Sequence, residues 1–294
     1  MIALVLSIIS ATLIFVIFRW LSDIKLEVFQ TVIINYFFAF IAALVAFIIQ
    51  NDHSLVIPLD WFPVGIVVGI LFVFMFFVMG KSSQKAGVGP TSVASKVSVV
   101  IPVAFSIYFD PADELTIQKG IGIFIAIIAI FLTLYKPNMK SMRKAEVIFP
   151  LLLFFGVGSI DSLLKYAQAE IIMDKPIALF TLLLFGVSSL TGLLFGIVRR
   201  TPFSSFIAPR QVGAGFLLGI VNWGAIFFLV QALDQSSLKN NWLDGSEIFG
   251  INNLGIVLLS ALGGWVLFKE HLLIINRIGI VLAMLALLFL SGYQ

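Results

Sequence analysis

Polar side chains set inside long apolar runs are where this chain could do chemistry, and Lys96 is the sharpest of them. It lies in the run from Gly89 to Phe109, with no acidic residue within a helical turn. An ammonium inside a bilayer costs about 3 kcal/mol on insertion scales. A lysine kept at that cost binds something anionic or takes part in coupling; the other reading is a side chain that snorkels to the interface or pairs structurally. Asn252, with Asn253 beside it, brings amides into another apolar run, as a polar lining or as glue between helices. Asp161 and Lys165 stand four apart, so on a helix they share a face and can form an ion pair. Asn35-Tyr36 and Asn222-Trp223 carry amides and aromatic faces into two further runs, the kind of residue that lines a cavity. An enzyme reading would need a serine with a lysine base, Ser98 or Ser159 near Lys96 or Lys165. Ser98 is two residues from Lys96, and such neighbours do not face each other on a helix. An accessory or structural membrane protein is the remaining alternative.

These residues need elements that hold them, and the composition names the class. Hydrophobic residues make up 61% of the 294 residues and charged ones 11%, with 30 phenylalanines. Soluble domains carry about 25% charged residues. Runs of roughly 20 apolar residues, enough for a helix to cross a hydrocarbon core of about 30 Å, recur along the whole chain. Ten helices are expected, over 2–20, 28–50, 61–80, 89–109, 117–135, 147–168, 176–198, 211–232, 247–268 and 274–292. The class is therefore an all-α polytopic membrane protein. The first run lacks a basic n-region and a small-residue cleavage site and reads as a retained helix. Pro102 should kink the fourth helix by removing one ladder hydrogen bond, and Gly263-Gly264 could loosen the ninth. There is no cysteine, which excludes disulfides and thiolate chemistry, and His53 and His271 have no second ligand at metal spacing. No cofactor is expected.

The sequence also repeats itself. Ile121-Gly122-Ile123 with Ala126 and Ala129 returns as Ile278-Gly279-Ile280 with Ala283 and Ala286, at the same spacing. Gly65 and Gly69 match Gly215 and Gly219, Glu114 matches Glu270, and Lys96 falls against Asn252. Gly65, Gly69, Gly215 and Gly219 are expected to pack helices closely, and Glu114 and Glu270 to favour a helix N-terminus. The polar stretch 136–146 divides residues 1–135 from 147–294, two units of five helices each. Five is odd, so the second unit enters the membrane from the opposite side, which gives an inverted repeat.

In its order of motifs the repeat unit resembles the EamA-like unit of the drug/metabolite transporter superfamily. The residues that carry the resemblance are Gly89-Pro90, Pro102, Glu114 and Gly122, then Gly263-Gly264, Phe268-Lys269-Glu270 and Gly279. Ser246 stands where the second unit would have proline, and Lys96 and Asp161 are charges the usual pattern lacks. The resemblance implies a small-molecule transporter with a central site between the halves, often an exporter. The inverted repeat and the buried polar residues point independently to a secondary active transporter, not an enzyme, with a proton as one coupling ion to consider. Cationic candidates outnumber acidic ones in the helices, so an anionic or zwitterionic metabolite such as an amino acid is the expected substrate. The inner membrane of a bacterium is the expected location. Thirteen Lys and Arg residues lie on the side of the 136–146 connection against four opposite. By the positive-inside rule both termini are outside, contrary to what the resemblance implies.

Overall fold

The computed structural model describes residues 2–49, 57–109, 116–135, 144–167, 177–236 and 245–290. Glu114, His53 and most of the 136–146 linker lie outside them. Twelve α-helices carry the described residues, with no strand among them: α1 (Ile2–Asp23), α2 (Val28–Ile49), α3 (Phe62–Lys85), α4 (Val88–Val97), α5 (Val100–Phe109), α6 (Ile117–Leu134), α7 (Ala145–Ala167), α8 (Ile177–Val198), α9 (Phe203–Phe206), α10 (Pro209–Ser236), α11 (Gly245–Phe268) and α12 (Ile274–Leu290). Nine stretches among the described residues are long and apolar enough to cross a membrane, and α12 is a shorter apolar helix of 17 residues.

What solvates the outer faces follows from α6 and α12. Their buried faces carry runs of small residues, Gly122, Ala126 and Ala129 on α6 and Gly279, Ala283 and Ala286 on α12, with Ile130, Ile280 and Leu287 beside them. Their exposed faces are no more polar, with Ile121, Phe124, Ile127 and Phe131 on one and Ile274, Ile278, Val281 and Leu285 on the other. A helix facing water would carry polar residues there. Small residues inward and large apolar ones outward is the arrangement for packing in lipid. The chain is a multi-pass membrane protein.

The chain forms two compact units, each drawing on both halves of the sequence: Met1–Arg19, Val78–Gly158 and Gly224–Gln294 make one, Trp20–Phe77 and Ser159–Trp223 the other. Within the first, α6 and α12 run antiparallel in close contact. Gly122 lies under Leu290 while Gly279 lies under Thr133, at either end of the four fully buried alanines. The contact is reciprocal, because Leu290 stands to Gly279 in sequence as Thr133 stands to Gly122. Helix α11 runs antiparallel to α4, with Gly264 beside Val88 and Gly89 beside Ala261. It runs parallel to α1, with Gly255 on Ile8 and Gly263 facing Val16. Despite Gly263-Gly264, α11 is unbroken from Gly245 to Phe268.

The second unit repeats this economy. Gly65 and Gly69 of α3 admit Leu183 and Val187 of α8, and Gly215 and Gly219 of α10 admit Ile34 and Phe38 of α2. The expected packing role of these four glycines holds. At Gly219 an added Cβ would lie 2.7 Å from the Asn35 carbonyl oxygen, so α10 and α2 touch backbone to backbone. Ser188 of α8 donates to the Gly69 carbonyl at 2.9 Å and ties α8 to α3.

Candidate functional site

Lys96 sits beside a helix break. The fourth run is two helices, α4 and α5, interrupted at Ser98 and Val99. Pro102 has no N–H to give the Ser98 carbonyl, which accepts from Ile101 at 2.9 Å instead. Hydroxyls also turn back onto the α4 backbone: Ser98 Oγ donates to the Ser95 carbonyl at 2.6 Å, Ser92 Oγ to Gly89 at 2.8 Å and Thr91 Oγ1 to Gly87 at 2.7 Å. Such back-bonding bends helices. The result is a helix C-terminus within an apolar run, and Lys96 occupies its last turn. A cation there gains about 0.3–1 kcal/mol from the helix dipole, which answers part of what makes the lysine tolerable. Lys96 is half-buried, whereas the other nine residues of α4 are buried.

The antiparallel register of α4 and α11, with Val88 beside Gly264 and Gly89 beside Ala261, carries Lys96 to the level of Leu254 to Ile256, within about a turn of Asn252. Asn252 is buried. The Ser7 hydroxyl of α1 lies 3.0 Å from Asn252 Oδ1 and 3.0 Å from the Ala225 carbonyl, one proton between two acceptors. Asn253 is half-buried on the next face. Lys96, Asn252, Asn253 and Ser7 thus belong to one unit.

The remaining candidates belong to the other unit. Asn35 and Asn222 are buried; among the described residues Asn35 Oδ1 has no hydrogen-bond donor and Asn222 Nδ2 no acceptor. The two helices that carry them touch at Gly219, one turn before Asn222. Asn35 can still accept a hydrogen bond and Asn222 can still donate one. Tyr36 is fully engaged: its hydroxyl donates to the Phe72 carbonyl at 2.9 Å and its ring packs on Phe76 and Phe185 at 5.3 and 6.3 Å. That is a core tyrosine with its polar end satisfied. Trp223 and Asp161 are half-buried. The Lys165 side chain, and with it the Asp161–Lys165 pair, lies outside what the structure describes.

Two polar residues do more than their sequence position announces. Glu270 precedes α12, yet its Oε1 accepts from the Val88 N–H at 2.8 Å and so caps α4, 182 residues away. It fits there because Gly87, at φ 105°, and Gly264 have no Cβ where the carboxylate lies. Lys269, in the left-handed region at φ 51°, turns the chain back so that the Glu270 N–H reaches the Gly264 carbonyl at 3.0 Å. Burial pushes the Glu270 carboxyl up from its ordinary range; the Val88 and Gly89 amides and the Arg19 charge pull it back only in part. Asn276 meets the carbonyls of Leu132, Thr133 and Tyr135 with its Nδ2 at 3.0, 3.0 and 2.8 Å, closing the end of α6, while its Oδ1 accepts from Leu273. Its position two residues before the repeated Ile-Gly-Ile was the only signal in the sequence.

No protein-family model matches the chain. An uncharacterized protein of Haemophilus influenzae is 26% identical over 245 residues, covering 82% of this chain and 76% of that protein. A solved crystal structure is similar in fold, with a TM-score of 0.61 at 15% identity, covering 98% of this chain and 95% of that one.

Proposed function

We propose that the chain is a secondary active transporter of a small anionic or zwitterionic metabolite, an amino acid being the type case. It works as an exporter or exchanger by alternating access, in the inner membrane of a bacterium. The observation that carries this is Lys96 at the end of the interrupted helix α4, within about a turn of the level of the buried amide of Asn252 on the neighbouring α11. Transporters bind small solutes where membrane helices are broken, because freed backbone groups and helix ends there meet charge. A point cation selects a carboxylate.

The repeat reading, ten spans as two inverted sets of five, is favoured by the reciprocal contacts. Gly122 on Leu290 answers Gly279 on Thr133, and Gly65 on Leu183 answers Gly215 on Ile34. Such exchange of roles is what a two-fold axis generates. Equivalent helices that pack antiparallel require that axis to cross the helices, as it does in the membrane plane. Membership of the drug/metabolite transporter superfamily is the family this architecture fits. The Ser98 hydroxyl, bonded to its own helix, argues against a serine–lysine enzyme.

Uptake into proteoliposomes from a library of carboxylates, amino acids, sugars and lipophilic cations tests the reading. Saturable transport of a carboxylate-bearing solute is expected. A preference for lipophilic cations, or no transport of any class by folded protein, would overturn it.

A further inference from the structure

Three features meet at Glu270, two of which its capping role does not need. Its Oε2 is buried and has no hydrogen-bond partner among the described residues, although Oε1 is engaged. A cap uses one oxygen; a buried second oxygen left open is where a proton adds. Next, the residue lines a cleft of about 460 Å³ together with Trp265, Lys269, His271, Leu272, Leu273 and Arg277. Lys269, His271 and Arg277 are exposed, so the cleft opens to the outside beside Glu270, whose Oε2 itself lies buried behind it. Finally, Glu270 holds the start of α4, whose other end carries Lys96 and the break.

Among the described residues, the other titratable groups that line the cleft, and Arg19, which acts on the carboxyl, are all basic. Arg19 comes from α1, its guanidinium 5.2 Å from the centre of the Phe268 ring. Lys269 and His271 come from the same turn and Arg277 from α12. From α4 come the Val88 and Gly89 amides. Among the described residues that line the cleft Glu270 is the only acid. A proton arriving there has one carboxyl to bind.

We propose that Glu270 is the proton-binding residue of the transport cycle, loaded through the cleft beside α12, and that its protonation loosens the start of α4. Ionised, the carboxylate attracts the Val88 N–H and the positive end of the α4 dipole. Neutral, it is a poorer acceptor and the charge–dipole attraction is gone. The change is delivered to the helix that ends at Lys96. This deepens the transporter reading and rests on it for its role in transport, although proton binding itself does not.

The sign of the stability effect follows from linkage. A carboxyl whose folded value is raised binds its proton more tightly folded than unfolded, so stability falls as pH rises from about 4.5 through the raised value. The thermal unfolding midpoint of the full chain in nanodiscs, followed against pH, should fall across that window for wild type. It should lose the slope in Glu270→Gln and keep it in His271→Asn. Gln can still accept from Val88, so lost packing alone would shift the curve without flattening it. Parallel curves for wild type and Glu270→Gln would overturn the proton site. The coupling arm uses a solute from the library in proteoliposomes with an imposed pH gradient. Wild type should accumulate it several-fold, and Glu270→Gln should keep solute exchange but lose the gradient response. A gradient response intact in Glu270→Gln would overturn the coupling role. A wild type that exchanges solute but ignores the gradient would end it too, while leaving the transporter reading in place.

Discussion

Gly279→Ala should damage the protein far more than the same change at Gly122 or Gly120, although all three lie in α6 or α12. A Cβ at Gly279 would stand 2.5 Å from the Thr133 nitrogen, 2.6 Å from Thr133 Oγ1 and 2.9 Å from the Leu132 carbonyl carbon. Two of these atoms are backbone, so the end of α6 must retreat by most of an ångström. Overpacking of this kind costs about 1–3 kcal/mol. The retreat also pulls the Leu132 and Thr133 carbonyls from Asn276, at about 1 kcal/mol per net hydrogen bond, so the total sits at the top of that range or above it. At Gly122 the obstacle is Leu290, 2.9 Å away at Cγ, a side chain that can turn aside; about 1 kcal/mol is expected. At Gly120 nothing lies within 4 Å, and Ala should stabilise the helix by roughly 0.5–1 kcal/mol. Equilibrium unfolding of the purified protein in mixed micelles reads all three. Equal losses at Gly279 and Gly122, or a neutral Gly279→Ala, would refute the close antiparallel contact of α6 and α12.

Asn276→Asp should cost about 3 kcal/mol near neutral pH, because a carboxylate would face three carbonyl oxygens where two N–H bonds are lost. That loss should ease as pH falls, since the introduced group escapes repulsion by taking up a proton; a pH-independent loss in unfolding assays would contradict the geometry. Asp161→Asn alone should harm folding or transport more than Asp161→Asn with Lys165→Gln, since one stranded charge costs about 3–5 kcal/mol. A double variant as damaged as the single one would give Asp161 a role beyond that pair. A C-terminal reporter active only in the cytoplasm should stay silent if the Lys and Arg distribution sets orientation; strong signal would reverse the topology.

The helices were legible because length and apolarity suffice to mark a membrane span, and their ends fall within a few residues of those read from the sequence. The close-packing glycines were legible because each recurs in the second half. The site was legible only in its types of residue. Pro102 announced a kink, but the interruption lies at Ser98–Val99, where missing N–H and hydroxyl back-bonding act together. Glu270 looks from sequence like a cap for the helix that follows it. Its partner is instead Val88, and only the tertiary approach of α4 to α11 reveals it. Asn276 went unremarked and Tyr36 stood out for the same reason: the sequence cannot tell a polar atom that has found a backbone carbonyl from one that has not.

The central claim is that Lys96 is the anion-binding charge of a transport site, and substitution at that position tests it most directly. Initial rates for a carboxylate-bearing solute should be measured in proteoliposomes with wild type, Lys96→Met and Lys96→Arg, each matched for amount and unfolding midpoint. Lys96→Met should abolish transport with stability near wild type, and Lys96→Arg should retain part of it, because charge survives while the guanidinium has a different shape. Undiminished carboxylate transport by well-folded Lys96→Met would contradict the account.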